Sequence, residues 1–139
     1  MRIICFDPGT VRIGVSISDE TEYLARPIGN IKNDERLDRQ LKELGEKNEF
    51  GKIIVGEPFN MDGTRNPHNT FVGQLVDRLK IIFPDKEIIM WDERLSSWEA
   101  NNIMLEADLS RKKRKKKVDA LAAVLILQNY LDKSRERKK

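Results

Sequence analysis

The 139 residues are enough for one domain with one core and too few for two. No apolar run approaches the roughly 20 residues of a membrane span, and no secretory signal pattern is seen, so a cytoplasmic protein is expected. A single Cys inside an apolar run rules out a disulfide framework and reads as a buried thiol, and a single His argues against a zinc site.

The net charge of +3 hides an asymmetry. Residues 111–117, Arg-Lys-Lys-Arg-Lys-Lys-Lys, supply +7 and residues 133–139 supply +4, so the rest of the chain carries −8. An acidic body with two concentrated basic segments fits a polyanionic partner, above all nucleic acid.

In chain order, Arg2–Asp7 is a short apolar run closed by Asp-Pro-Gly-Thr, a buried strand and a tight turn. Arg12–Ser18 sets Ile13, Val15 and Ile17 against Gly14, Ser16 and Ser18, the alternation of a half-buried second strand in a hairpin with the first. Leu24–Ile31 reads as a third strand that Pro27 places near an edge. Asn33 is suited to cap a helix bearing Leu37, Leu41 and Leu44. Lys52–Gly56 is a fourth, buried strand, and 57–67 is a loop by composition. Phe71, Leu75, Leu79 and Phe83 mark a second helix that Pro84 ends; Glu87–Trp91 is a fifth strand. Ser96-Ser97-Trp98-Glu99 fits a capping box, the basic run interrupts the pattern, and Val118–Leu131 is a final helix before a frayed basic tail at 133–139. The fold class is α/β: one domain over 1–132, antiparallel strands first and parallel crossovers after.

Three acidic positions stand where chemistry can occur. Asp7 closes a buried strand, and ligands gather at such ends in mixed sheets. Asp92 and Glu93 end the fifth strand, and alternation turns one of them toward the cleft. Asp119 opens the last helix on the side of Ala122, Ala123 and Ile126, where a charge needs a partner; helix-dipole stabilisation is the simpler account of it. Carboxylates about 4 Å apart repel by roughly 4 kcal/mol at an effective dielectric of about 20. A proton or cation must relieve that, and oxygen donors suit Mg²⁺ or Mn²⁺. The loop carrying Asn60 reads equally as turn chemistry or as a substrate loop. Trp91 and Trp98 read as packing beside the site rather than base platforms, and His68 as a surface residue.

Four segments together resemble the YqgF/RuvX family, whose members are described as Holliday junction resolvases and, in bacteria, as pre-16S ribosomal RNA nucleases. They are Asp-Pro-Gly-Thr-Val-Arg-Ile-Gly-Val at 7–15, Val-Gly-Glu-Pro-Phe-Asn-Met-Asp-Gly-Thr at 55–64, Asp-Glu-Arg-Leu-Ser-Ser at 92–97 and Val-Asp-Ala-Leu-Ala-Ala-Val-Leu-Ile-Leu-Gln at 118–128. The resemblance implies an RNase H-like fold, a mixed five-stranded sheet flanked by helices. It implies that Asp7, Glu93 and Asp119 are the catalytic residues and the ligands of a divalent cation, Mg²⁺ or Mn²⁺. It also implies a hydrolase maturing the pre-16S rRNA end near ribosomes. Arg12, Asn60, Arg94, Arg111, Lys112, Lys113 and Arg114 are then the expected substrate contacts. One departure is Glu57, where the family usually carries Leu; the second ligand stays open between Glu93 and Glu57, with Glu93 favoured. The protein is expected to act as a monomer or weak homodimer. Two rival readings are a non-catalytic RNA-binding assembly factor and a resolvase of DNA junctions, which needs a dimer to cut two strands symmetrically.

Overall fold

The computed structural model describes residues 1–9, 11–57, 69–92 and 111–137, and of these all side chains except 69–71, 111–120 and 136–137. The elements are β1 (Ile3–Asp7), β2 (Arg12–Ser18), β3 (Ala25–Lys32), α1 (Leu37–Lys47), β4 (Lys52–Glu57), α2 (Asn69–Ile82), β5 (Glu87–Asp92) and α3 (Arg111–Arg137). The helix expected from Ser96 lies outside the described residues.

The five strands form one mixed sheet in the order β3-β2-β1-β4-β5. The β1–β2 and β2–β3 pairs are antiparallel; β1–β4 and β4–β5 are parallel. β3 is an edge strand, as Pro27 requires, since proline cannot donate to a second neighbour.

The central strands are apolar on both sides because both faces are covered. Ile4, Phe6, Ile13, Val15, Ile53 and Val55 pack with Leu41 and Leu44 of α1 and Val72, Leu75 and Leu79 of α2. Ile3, Cys5 and Ile54 pack with Ile126, Leu127, Tyr130 and Leu131 of α3. Cys5 is fully buried, as expected.

Three readings of the sequence need correction. β2 is buried on both faces rather than half-buried: Ser16 and Ser18 have no solvent exposure. Ser16 Oγ donates to the Ala123 carbonyl of α3 at 2.8 Å, and Ser18 Oγ accepts from the Ile3 amide at 2.8 Å, so both hydroxyls are satisfied inside. Asn33 does not cap α1; its Nδ2 donates to the Gly9 carbonyl at 2.9 Å, and Arg36 precedes the helix with no side-chain cap. The last helix starts at Arg111, not Val118, and continues to Arg137. Lys and Arg are good helix formers, so the basic run extends the helix. Its far end is held by Arg135, which pairs with Asp132, donates to the Tyr23 carbonyl at 3.1 Å and stacks over the Tyr23 ring at 4.4 Å.

Candidate functional site

The C-terminal ends of β1, β4 and β5 lie side by side and each is acidic: Asp7, Glu57 and Asp92. The register runs Phe6 against Val55, then Glu57 against Asp92. Alternation separates these groups by face. Asp7 shares the parity of Ile3 and Cys5, on the α3 face. Glu57 shares that of Ile53 and Val55, on the α1–α2 face, and its register partner Asp92 shares that of Ile88. Ile89 and Trp91 pack on the α3 face. Two residues on from Trp91 in the sequence comes Glu93, which lies outside the described residues, as do Asn60 and Arg94.

Helix α3 is aligned on this end of the sheet by the Ser16–Ala123 hydrogen bond. Cys5 pairs with Ser16, and Asp7 pairs with Gly14. Position 119 is one turn before Ala123, about 6 Å along the helix, and Asp7 is two residues past Cys5, about 6.6 Å along the strand. Toward the other end of the helix, Leu131 flanks a small cavity with Ile3. The helix therefore runs with its N-terminal half toward the end of β1, and position 119 comes level with position 7. Asp119 is the ninth residue of α3 rather than in its first turn, so the helix dipole does not account for it. Arg111, Lys112, Lys113 and Arg114 form the first turn of the same helix, beyond the end of β1. Among the described residues no three His, Cys, Asp or Glu side chains gather as a metal site; the side chains of Glu93 and Asp119 are not in that set.

Gly9, two residues after Asp7, is required for steric reasons. A Cβ on Gly9 would collide with the Arg12 carbonyl oxygen, so the chain can reverse this tightly only with glycine. Asn33 ties the turn to the end of β3, by its side chain to Gly9 and by its amide to the Val11 carbonyl at 2.9 Å. Arg12 begins β2 directly after that turn and is partly exposed. Trp91 packs against α3, its Nε1 donating to Asn129 Oδ1 at 2.9 Å and its ring edge-on to Tyr130, which accords with a packing role. Sequence reasoning missed Asn33 and Ser16 as positioning residues: one was read as a cap and the other as half-exposed alternation.

Residues 1–133 match the RuvX family, described as a Holliday junction resolvase. The chain belongs to the RuvX family. A Bacillus cereus (strain AH187) relative named "Putative pre-16S rRNA nuclease" is 43% identical over 138 residues, covering 96% of this chain and 99% of the relative. A Bacillus thuringiensis (strain Al Hakam) relative of the same name is 43% identical over 137 residues, covering 95% and 98%. Among solved structures, T. thermophilus RuvC in complex with Holliday junction substrate superposes with a TM-score of 0.61 at 14% identity, over 97% of this RuvX chain and 96% of that one. Fowlpox virus resolvase with Holliday junction DNA gives 0.53 at 12% identity, over 99% and 98%. These likenesses are of fold, and the sheet and helix layers are those of the RNase H-like group that RuvC shares.

Proposed function

We propose that this RuvX-family protein is a cytoplasmic, divalent-cation-dependent nuclease that hydrolyses phosphodiester bonds of a ribosomal RNA precursor. One observation carries the reading: α3 crosses the sheet with Ala123 on Ser16, so helix position 119 comes level with Asp7 on the same face. The name shared by the 43%-identical Bacillus relatives supports the substrate.

The donor set fits a hard cation. Asp7 is a carboxylate on a rigid strand end, and Glu93 and Asp119 add only oxygen donors, the set that suits Mg²⁺ or Mn²⁺. When bound, such an ion activates a water and stabilises the leaving oxygen of an in-line displacement. The residues contribute position and charge. Asp7 is held by the Gly9 turn and the Asn33 tether; Arg12 meets a phosphate next to the reacting one. The cationic start of α3 holds the strand beyond it. The four basic residues of its first turn stand at the positive end of the helix dipole, an unfavourable placement of roughly 0.3–1 kcal/mol per charge that an anionic partner reverses.

The test is cleavage of a labelled rRNA precursor end, with a four-way DNA junction in parallel, by wild type and Asp7→Asn in Mg²⁺, Mn²⁺ and EDTA. Metal-dependent RNA cleavage that the folded mutant lacks is the expected result. Full activity in Asp7→Asn would overturn the assignment. Cleavage of the junction alone would favour the resolvase reading, which the family description supports. Tight RNA binding without cutting by either protein would make the chain an assembly factor.

A further inference from the structure

Beside the carboxylate end of the sheet, an open groove of about 780 Å³ is lined by Val11, Arg12, Asn30, Lys32, Asn33 and Arg36, among others. We infer that this groove is a second phosphodiester-binding subsite, in which Lys32 and Arg36 join Arg12 in gripping the substrate strand a few nucleotides from the bond that Asp7 addresses. The inference rests on the nuclease reading for the identity of that strand.

Four observations carry it. First, Arg12 and Lys32 are direct cross-strand partners between β2 and β3. Like charges in that position destabilise a sheet, so the pair is a local cost that an anion between them removes. Second, Lys32 is fixed by its backbone, and among the described residues its ammonium makes no hydrogen bond or ion pair. Its amide donates to Gln40 Oε1 at 3.0 Å, and Gln40 Nε2 donates to its carbonyl at 3.0 Å. Third, the groove is net cationic, with Arg12, Lys32 and Arg36 against Asp34 alone. Asp34 holds Arg36 at 2.9 Å in an exposed pair of the kind that contributes little, so the guanidinium can exchange onto a phosphate. Asp34 would still accept the Arg36 amide, at 2.9 Å.

Fourth, the groove is continuous with the site. Asp7 pairs with Gly14 and Gly14 with Asn30, so one row crosses from β1 to the groove wall with a glycine between. Two strand spacings make that about 10 Å, roughly the axial rise of three stacked nucleotides at about 3.4 Å each. The same Asn33 that lines the groove holds the Gly9 carbonyl of the Asp7 turn.

The test measures binding and never cleavage, so that it stands apart from the catalytic assay. Anisotropy of a labelled 12-nucleotide single strand, as RNA and as DNA of one sequence, would be read in EDTA with Asp7→Asn as the parent. Lys32→Glu in that background should bind about tenfold or more weakly, with a salt slope shallower by about 0.7 for each phosphate the groove no longer grips. Asp34→Asn should bind more tightly. Lys32→Gln should weaken binding while leaving Tm unchanged or higher, since it relieves the like-charge pair. Opposite shifts for the Lys32 and Asp34 variants are not produced by partial unfolding, and they decide the matter even if Lys32→Glu folds poorly. Parent-like binding by Lys32→Gln and Asp34→Asn, with the parent itself binding, would overturn the groove and spare the nuclease reading. A parent that binds neither strand would overturn both. Equal effects on RNA and DNA support a grip on the phosphates; an effect on RNA alone would replace it with 2′-hydroxyl recognition.

Discussion

Ser16→Ala and Ser18→Ala should separate catalysis from stability on a single strand. Both serines are fully buried on β2, but they bond to different elements. Ser18 Oγ is the acceptor for the Ile3 amide at 2.8 Å, at the start of β1 and remote from Asp7. Alanine there leaves a buried N–H without that partner, at a cost of about 1–3 kcal/mol. Ser16 Oγ donates to the Ala123 carbonyl, which also serves the helix ladder, so its loss costs about 1 kcal/mol. For a chain of this length each kcal/mol lowers Tm by about 3–5 °C. Ser18→Ala should therefore melt lower than Ser16→Ala. Activity should rank the other way. The Ser16 bond fixes α3 against β2 one turn from position 119, and a misplacement near 1 Å at a reacting centre costs roughly 100-fold. Turnover of the RNA precursor at 20 °C, with both variants shown folded by circular dichroism, should fall roughly ten- to hundredfold in Ser16→Ala and little in Ser18→Ala. Equal turnover in the two, or the greater loss in Ser18→Ala, would refute the claim that this hydrogen bond aligns the site.

Glu93→Gln should abolish cleavage in the assay used for Asp7→Asn, whereas Glu57→Gln should retain most of it, because Glu57 has the strand parity of the opposite face. If about five charges of the 111–117 run meet single-stranded phosphates, a plot of log binding constant against log salt should have a slope near −3.5, and a flat response would remove the run from the interface. The Thr21 hydroxyl, with the Tyr23 and Leu24 amides, holds the Asp19 carboxyl below its ordinary 3.8. A folded-state value below the unfolded one gives stabilisation that is complete above the ordinary value and lost as pH falls through the lowered one. Protection factors of the Tyr23 and Leu24 amides, corrected for intrinsic exchange, should thus fall in acid, and Asp19→Asn should flatten that dependence.

The sheet was legible because its strands are short, apolar and punctuated by Pro, Gly and Asp, and β1, β2, β4 and β5 fall within a residue or so of where those signals end them. Pro27 marked the edge correctly. Failures came where a residue had two physical uses. Ser16 and Ser18 alternate as solvent-facing residues do, yet small hydroxyls also let a helix approach and find partners inside. Asn33 has the chemistry of a cap and equally that of a tether to a distant carbonyl, and only tertiary structure chooses. The basic run looked like an interruption because it lacks apolar periodicity, but helix propensity does not need periodicity where a segment projects beyond the core. At about 40 Å, α3 outruns the roughly 26 Å of the longest strand.

Violations of local rules in this molecule are not scattered. Lys133, Arg135 and Arg137 stand at the C-terminal end of α3, where the dipole favours cations, and Arg135 is paired with Asp132. At the other end of the same helix the four cations of the first turn stand where the dipole disfavours them. Nearby, Arg12 faces Lys32 across two strands, and β1 finishes on Asp7. A sequence selected for stability alone would not concentrate unfavourable placements at one end of its sheet while satisfying the same rules at the other. On the proposed reading, the excess positive charge around that end would suit a phosphodiester strand and the Asp7 carboxylate a divalent cation. Asp7 stands where the two would meet.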